Sequence, residues 1–177
     1  MKKTIAVLLA AMLALCGMTA LAESKTYVDP NRDITFTYDD AAFEIAQEDV
    51  ADDELLVVLA SKKPEWGEAG ISFHLEDLED GQKFPTLADF KDVEEALHTT
   101  VTQGEWNGFK DVFMYDTTAE GVTTQAFIVP VYDKDDGDVE DILTVNINVS
   151  RLDDEETGMK RDDEISAVVG SLKLLDD

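Results

Sequence analysis

Two histidines are the first candidates for catalysis in this sequence, because histidine transfers protons near neutral pH more readily than other side chains. His74 lies in an alternating segment in which Ser72 and Glu76 occupy the neighbouring positions on the same face. These residue types match a nucleophile, its base and an orienting acid. Residues two positions apart on a strand are about 7 Å apart, which is too far for direct proton transfer. We therefore interpret His74 as a histidine on an exposed strand face.

The other residues and motifs that could indicate catalysis give even less support for it. His98 closes a predicted helix, where its charge complements the helix dipole. The sequence contains no glycine-rich phosphate loop, no HExxH motif and no pair of histidines at a metal-binding spacing. With 40 acidic residues, some carboxylates will lie at glycosidase distances by chance. We therefore predict no catalytic, cofactor-binding or metal-binding residue, and we expect a protein that is not an enzyme.

An acidic segment from Asp133 to Asp141 could bind calcium, which prefers several carboxylate oxygens. Aligned as an EF-hand loop on Gly137, it puts Tyr132, Lys134 and Leu143 at three ligand positions, so that alignment fails. A solvated hairpin loop is the favoured interpretation. A weak calcium site remains a hypothesis, with these candidate ligands: Asp133, Asp135, Asp136 and Asp138.

The first 22 residues are typical of a cleavable signal peptide. Lys2 and Lys3 precede an apolar run over 5–18, and Ala20 and Ala22 stand at the −3 and −1 positions of a cleavage site. The apolar run is shorter than the roughly 20 residues that a membrane-spanning helix needs. We expect cleavage after Ala22 and a secreted or extracytoplasmic protein. A lipoprotein modified at Cys16 is disfavoured, because Leu15 replaces the small residue expected before a lipidated cysteine.

Charge and cysteine content limit the possible partners. The chain has a formal net charge of −26, and the predicted leader carries none of its acidic residues. A polyanion repels nucleic acids and anionic lipids, so those partners are disfavoured. After cleavage no cysteine remains for a disulfide, a thiolate nucleophile or a cysteine metal site. About 155 residues can nevertheless bury a sufficient core as one domain, residues 23–177.

The hydrophobic patterns predict a sheet-rich domain. Asn107-Gly108 is the strongest hairpin signal, the continuous apolar run 55–60 predicts a strand covered on both faces, and Pro130 predicts an edge position or a bulge. Strands are predicted near 26–28, 34–38, 41–45, 55–60, 71–75, 105–106, 109–115, 123–132 and 143–149.

Two helices are predicted. The first begins after Thr86, with Asp89 as a capping partner and an apolar stripe of Leu87, Phe90, Val93 and Leu97. The second is predicted to be capped by Asp162 or Asp163, with Ile165, Val168, Val169 and Leu172 on one face. Strands and helices follow one another in separate groups, which favours an α+β fold with an antiparallel sheet covered by helices.

Four segments of the chain carry a resemblance to a known family: 27–31, 34–38, 86–90 and the closing stretch 165–173. In these segments the chain resembles the PsbP-like (Mog1/PsbP-type) family, including its bacterial members of unassigned function. Where family members often carry proline and tryptophan, this chain has Asp39 and Phe43. The resemblance implies an antiparallel sheet sandwiched by helices and a non-enzymatic role in docking to a larger assembly. It assigns no binding residue.

An exported interaction or accessory module with a protein or cell-envelope partner is the favoured function. A small-molecule or calcium-binding protein that uses acidic surface groups is an alternative, and a carboxylate-based hydrolase ranks below both. The exposure of Trp66 and Trp106 helps to discriminate between these functions, because exposed tryptophans often anchor interfaces whereas buried ones belong to the core.

Overall fold

The computed structural model describes residues 23–30, 33–51, 54–78, 82–133 and 137–175. Within them the chain folds as a single α+β domain with antiparallel sheets. The predicted leader, residues 1–22 with Cys16, lies outside the described residues. The strands are β1 (Ser24–Val28), β2 (Ile34–Asp39), β3 (Phe43–Val50), β4 (Glu54–Ser61), β5 (Ala69–Asp77), β6 (Thr102–Trp106), β7 (Phe109–Ala119), β8 (Val122–Tyr132), β9 (Val139–Ser150) and β10 (Lys173–Leu174). The helices are α1 (Lys91–Leu97) and α2 (Glu155–Gly170), with 3-10 turns at Pro64–Trp66 and Leu87–Phe90.

The described strands form two sheets. The large sheet has the order β3-β4-β5-β9-β8-β7-β6, and the small sheet has the order β1-β2-β10. Every recorded strand pair is antiparallel. Hairpins account for most neighbours, but β5 pairs with β9 over a long chain separation, which joins the two halves of the large sheet.

The main core lies between the small sheet and one face of the large sheet. Phe73 on β5 is paired with Val145 on β9, which is paired with Phe127 on β8, so these side chains share that face. Phe36 from β2 stacks on Phe73 with ring centroids 4.4 Å apart. Helix α2 packs on the same core through Ile165, Val168 and Val169. This face is called the inner face below.

The opposite face of the large sheet is called the outer face below. A helical segment covers the part of it that belongs to β7 and β8. Phe113 and Ile128 are paired across these strands and point away from the inner face. They form a second cluster with Phe90 and Val93 from the helical segment that precedes β6. Helical segments therefore contact both faces of the large sheet.

The first helical segment buries fewer of its apolar side chains than the sequence predicts. Thr86 caps it, since the backbone N–H and the hydroxyl of Thr86 both donate to the Asp89 carboxylate at 2.7 Å. Phe90 is buried, but Leu87 and Leu97 at the two ends of the predicted stripe are exposed. The segment begins as a 3-10 turn and α1 has 7 residues, so the stripe is too short and too irregular to bury all four side chains.

The final helix begins earlier than predicted. Its N-cap is Asp154, whose carboxylate accepts a hydrogen bond from the backbone N–H of Thr157, and not Asp162 or Asp163. The first two turns contain a single apolar residue, Met159, which is exposed, so they have no apolar stripe by which hydrophobic periodicity could locate them. What anchors them is Arg161, a charged side chain that is buried.

Strand β4 is covered on one face and not on two. Leu55, Val57 and Leu59 are buried on the inner face, whereas Leu56 and Val58 on the outer face are half-buried. The described helical segments pack over β7 and β8 and leave the outer face of β4 open. The prediction from the continuous apolar run was therefore wrong.

Pro130 lies in an interior strand but behaves as an edge residue. The pairing of β7 with β8 ends at Ile128, two residues before Pro130. The β8–β9 register shifts just after it, between Val131 and Tyr132. Because the β7 pairing ends before Pro130, the missing backbone N–H of proline breaks no ladder hydrogen bond to that strand.

Strand β3 forms one exposed edge of the large sheet. Its outward positions are mostly acidic or polar, among them Glu44, Gln47 and Asp49. The register with β4 shifts between Ile45 and Gln47, which bulges the strand.

Candidate functional site

An open groove of about 550 Å³ lies between α2 and the inner face of the large sheet. Phe127 on β8 and Ile147 and Val149 on β9 contribute to its floor, and Ile165 and Val169 on α2 form the opposite wall. These side chains meet because cross-strand partners share a face and because residues four apart share one side of a helix. A groove of this size and lining suits a ligand or a short segment with apolar groups.

Trp106, at the end of β6, completes the floor. Its indole stacks on the Phe127 ring, with centroids 4.1 Å apart and planes 17° apart. Phe109 lies on the following strand with its ring centroid 6.4 Å from that of Trp106. Trp106 remains half-buried and lines the groove. Its position fits the anchor role considered for an exposed tryptophan. Trp66, in contrast, is buried and tilts against Phe43, so it belongs to the core.

One end of the groove is closed by the hairpin that joins β6 and β7. Asn107 and Gly108 adopt positive φ angles of 52° and 85°, as a tight hairpin turn requires, and confirm the predicted hairpin. The Asn107 side-chain amide donates to the carbonyl of Val169 at 2.8 Å. This hydrogen bond ties the hairpin to the last turn of α2.

Polar contacts hold the helix near its middle and at its C-terminal end. Nη1 of Arg161, in the middle of α2, donates to the Ser150 carbonyl at 2.5 Å, which fixes the helix to the end of β9. At the C-terminal end, the backbone N–H of Thr37 donates to the Ser171 hydroxyl oxygen at 2.7 Å. Because the helix is fixed to strands at these two points, the groove needs little rearrangement to bind a ligand.

The rim of the groove is polar, and among the described residues that line the groove one, Asp162, is charged. The Asp162 Oδ1 atom accepts a hydrogen bond from Nε of Arg161 at 2.9 Å, and 60% of the Asp162 side chain is exposed. Gln125 and Ser166 add exposed hydrogen-bonding groups. Asp116 is the cross-strand partner of Gln125 and is also exposed. The arrangement can bind an apolar group and place a polar or cationic group at the rim.

The Ser72, His74 and Glu76 set does not assemble into a triad. Nε2 of His74 instead lies 2.7 Å from Oε1 of Glu54 on the neighbouring strand. Ser72 contacts Asn146, whose amide lies 3.4 Å from its hydroxyl. These contacts are on the outer face of the sheet, away from the groove. His74 is a half-buried histidine that contacts Glu54 on the outer face, and the spacing argument correctly excluded the triad.

His98 is the C-cap of α1. It adopts a left-handed conformation with φ of 50°, and its backbone N–H donates to the Glu94 carbonyl. Its side chain is exposed and lies outside the groove. The position agrees with a histidine that ends a helix.

A pair of carboxyl groups that the sequence analysis missed lies at the far end of β9. Asp141 is the cross-strand partner of Asp77 on β5. Burial is the largest cause that raises the pKa of Asp141 to about 7. A hydrogen bond with Asp77 acts in the same direction, as do the negative charges of Asp77, Glu140 and Asp33. The pair can hold a proton near neutral pH, but it lies roughly 20 Å along β9 from the groove.

This pair could not be found from local patterns. Asp77 and Asp141 are 64 positions apart, and only the long-range pairing of β5 with β9 brings them together. Two aspartates at the ends of predicted strands are otherwise ordinary loop-flanking residues.

The acidic loop closes on itself through its backbone. The N–H of Asp133 donates to the Asp138 carbonyl at 2.8 Å, and the N–H of Gly137 donates to the Asp133 carbonyl at 3.1 Å. Asp135 and Asp136, two of the four candidate calcium ligands, lie outside the described residues. Within the described part of the chain, no group of three or more candidate side chains could hold a metal ion.

Comparison of the chain with protein-family models, curated proteins and solved structures gives no match. Among the helices of the described ranges, none combines the length and the hydrophobicity that crossing a bilayer requires.

Proposed function

We propose that the protein is a non-catalytic binding module whose binding site is the groove between α2 and the inner face of the large sheet. The observation that carries the proposal is the preformed, aromatic-floored groove itself, in which Trp106 is only half-buried. Half-buried tryptophan in an apolar groove is typical of an interface anchor. The one ionisable side chain of the lining, Asp162, lies at the rim, which suits recognition better than proton transfer.

The proposal includes the PsbP-like resemblance and export after Ala22. The family resemblance implies docking to a larger assembly, and an α+β domain with helical segments against both faces of an antiparallel sheet is compatible with it. The partner would then be a protein or another component of the cell envelope.

A groove-blocking variant tests the proposal. Ser166→Phe places an aromatic ring at the rim of the groove, whereas Met159→Phe adds the same ring to an exposed position of the same helix outside the groove. Wild-type protein and both variants are immobilised, and the proteins that they capture from a cell-envelope extract are quantified by mass spectrometry.

We expect a defined partner to be retained by wild type and by Met159→Phe and to be lost with Ser166→Phe. Equal capture by all three proteins would place binding outside the groove and would contradict the proposal. Circular dichroism of each variant controls for folding.

A further inference from the structure

We propose that the groove binds a short extended segment of another protein, in which a lysine or arginine lies about three residues from an apolar side chain. This inference rests on the binding role proposed above and specifies the chemistry of the partner. It is argued from the charge of the rim, the lining of the floor and the distance between the two.

The lining selects an apolar group at one end. Trp106, Phe127 and Val169 surround the end that the Asn107 hydrogen bond closes. A side chain that enters this end leaves water and contacts aromatic and aliphatic surface, which is favourable by about 25 cal/mol per Å² of apolar area.

The rim selects a cation at the other end. Among the described residues, Asp162 is the only charged one that lines the groove, and none of the lining residues is a lysine, arginine or histidine. Asp116 lies beside the Gln125 rim position. The Arg161 guanidinium lies 2.9 Å from Oδ1 of Asp162, so the two charges partly offset each other. Because the Arg161 side chain is 8% exposed and the Asp162 side chain is 60% exposed, the carboxylate is the member of the pair that a ligand can contact. The chain as a whole carries a net charge of −26, which attracts a cationic segment and repels an anionic one.

The distance between the two ends of the groove determines how far apart the basic and the apolar residue must be in the peptide. Asp162 and Val169 are seven residues apart on α2, which corresponds to about 10 Å along the helix axis. An extended peptide covers that distance in three residues. A basic residue at one position and an apolar residue three positions later therefore reach the two ends together.

The open side of the groove and its polar rim favour a peptide over a single small cation. The Gln125 and Ser166 side chains are exposed beside the apolar floor, where they can bond to the backbone of an incoming chain. Because one end is closed by the hairpin, the partner's chain must leave the groove at the Asp162 end or over the rim.

The test uses blocked synthetic hexapeptides in which lysine and leucine are three positions apart in a serine background. Matched peptides carry glutamine or glutamate in place of lysine, or serine in place of leucine. Binding is followed by isothermal titration and by the indole N–H signals in two-dimensional NMR, which separate Trp106 in the groove from Trp66 in the core.

We expect the lysine–leucine peptide to bind at least tenfold more tightly than the glutamate peptide and to shift the Trp106 signal alone. Asp162→Asn should weaken binding by about two- to fivefold, the range of an exposed ion pair. The matched variant Asp163→Asn removes the same charge from an exposed neighbour outside the groove and should leave binding unchanged.

Several results would overturn the inference. They are equal affinity for the lysine and glutamate peptides, no binding of the lysine–leucine peptide at millimolar concentration, or equal affinity for butylammonium, which would indicate a free cation. A dimer that Ser166→Phe dissociates in sedimentation experiments would identify a second copy of the chain as the occupant. If the capture experiment still shows a groove-dependent partner, the proposed function stands while the inference about charge fails.

Discussion

At the scale of single residues, long-range pairing decides which side chains act together. The spacing argument was enough to dismiss the Ser72, His74 and Glu76 set, but it could not supply Glu54 as the partner of His74, because that contact depends on the β4–β5 register. The same holds for Asn107. Its place in a hairpin follows from the sequence, whereas its hydrogen bond to Val169 requires the packing of α2.

Asp141 should make the stability of the protein fall as pH rises towards neutrality. Its pKa is raised to about 7 in the folded state, so the folded protein binds more protons than the unfolded chain from about pH 4 to 7. The stabilisation from the protonated carboxyl is present below that range and is lost as pH rises through 7. Asp141→Asn should therefore stabilise the protein at pH 8, by about 1 kcal/mol after allowance for solvent screening.

Chemical denaturation at pH 4.5, 6 and 8 checks this prediction. The difference between wild type and Asp141→Asn should grow with pH, whereas Asp116→Asn, which removes an exposed carboxylate elsewhere, should give a smaller change. A difference that stays constant across the three pH values would show that Asp141 does not hold a proton in the folded state.

The Asn107 amide should contribute to stability separately from its turn conformation. Asn107→Gly keeps the positive φ angle but loses the hydrogen bond to the Val169 carbonyl, at a cost of about 1 kcal/mol. Asn107→Ala also strains the turn and should cost more. Urea unfolding of both variants measures the two effects. Equal values for glycine and alanine would mean that the turn conformation contributes nothing.

At the scale of secondary-structure elements, alternating hydrophobic patterns correctly predicted strands and which side of each is buried. Errors arose where the hydrophobic pattern was continuous or interrupted. The run 55–60 has no alternation, so the sequence could not show that β4 has one covered face. The start of α2 was missed because Arg161, and not an apolar residue, packs there. The order of strands in the large sheet was also beyond local patterns, since it depends on the β5–β9 pair.

Two leucines on β4 test the difference between its faces. Leu59 is 0% exposed on the inner face, and Leu56 is half-buried on the outer face. Leu59→Ala should lower the free energy of unfolding by about 2–5 kcal/mol, because it opens a cavity in the core. Leu56→Ala should cost clearly less, since it leaves no enclosed cavity. Urea unfolding measures both. Equal losses would indicate that the outer face of β4 is covered in solution.

At the scale of the whole molecule, charge is the dominant property. A net charge of −26 on 177 residues opposes the compact state through self-repulsion. The candidate groove was not predicted from the sequence, because it is formed by residues of β6, β8, β9 and α2 that meet only in the folded domain. Of its residues, only Trp106 was singled out as a possible binding residue, and the signal was its residue type.

Salt should stabilise the protein, and calcium should add nothing to that effect. Raising sodium chloride from about 20 to 300 mM screens the repulsion and should raise the melting temperature by about 2–4 °C, equivalent to roughly 1 kcal/mol. Millimolar calcium at matched ionic strength should give the same value, because Tyr132, Lys134 and Leu143 stand at three ligand positions of the EF-hand alignment. Scanning calorimetry measures both. A further rise with calcium would support the cation-binding alternative.

The acidic edge of β3 has a consequence for engineering the protein. Unpaired strand edges template stacking into fibrils, and the carboxylates of Glu44 and Asp49 together with the bulge after Ile45 oppose such stacking. Replacing both carboxylates with apolar side chains would remove the electrostatic barrier between two such edges. Such a variant would be open to amyloid-type self-assembly, against which the acidic edge protects the natural sequence.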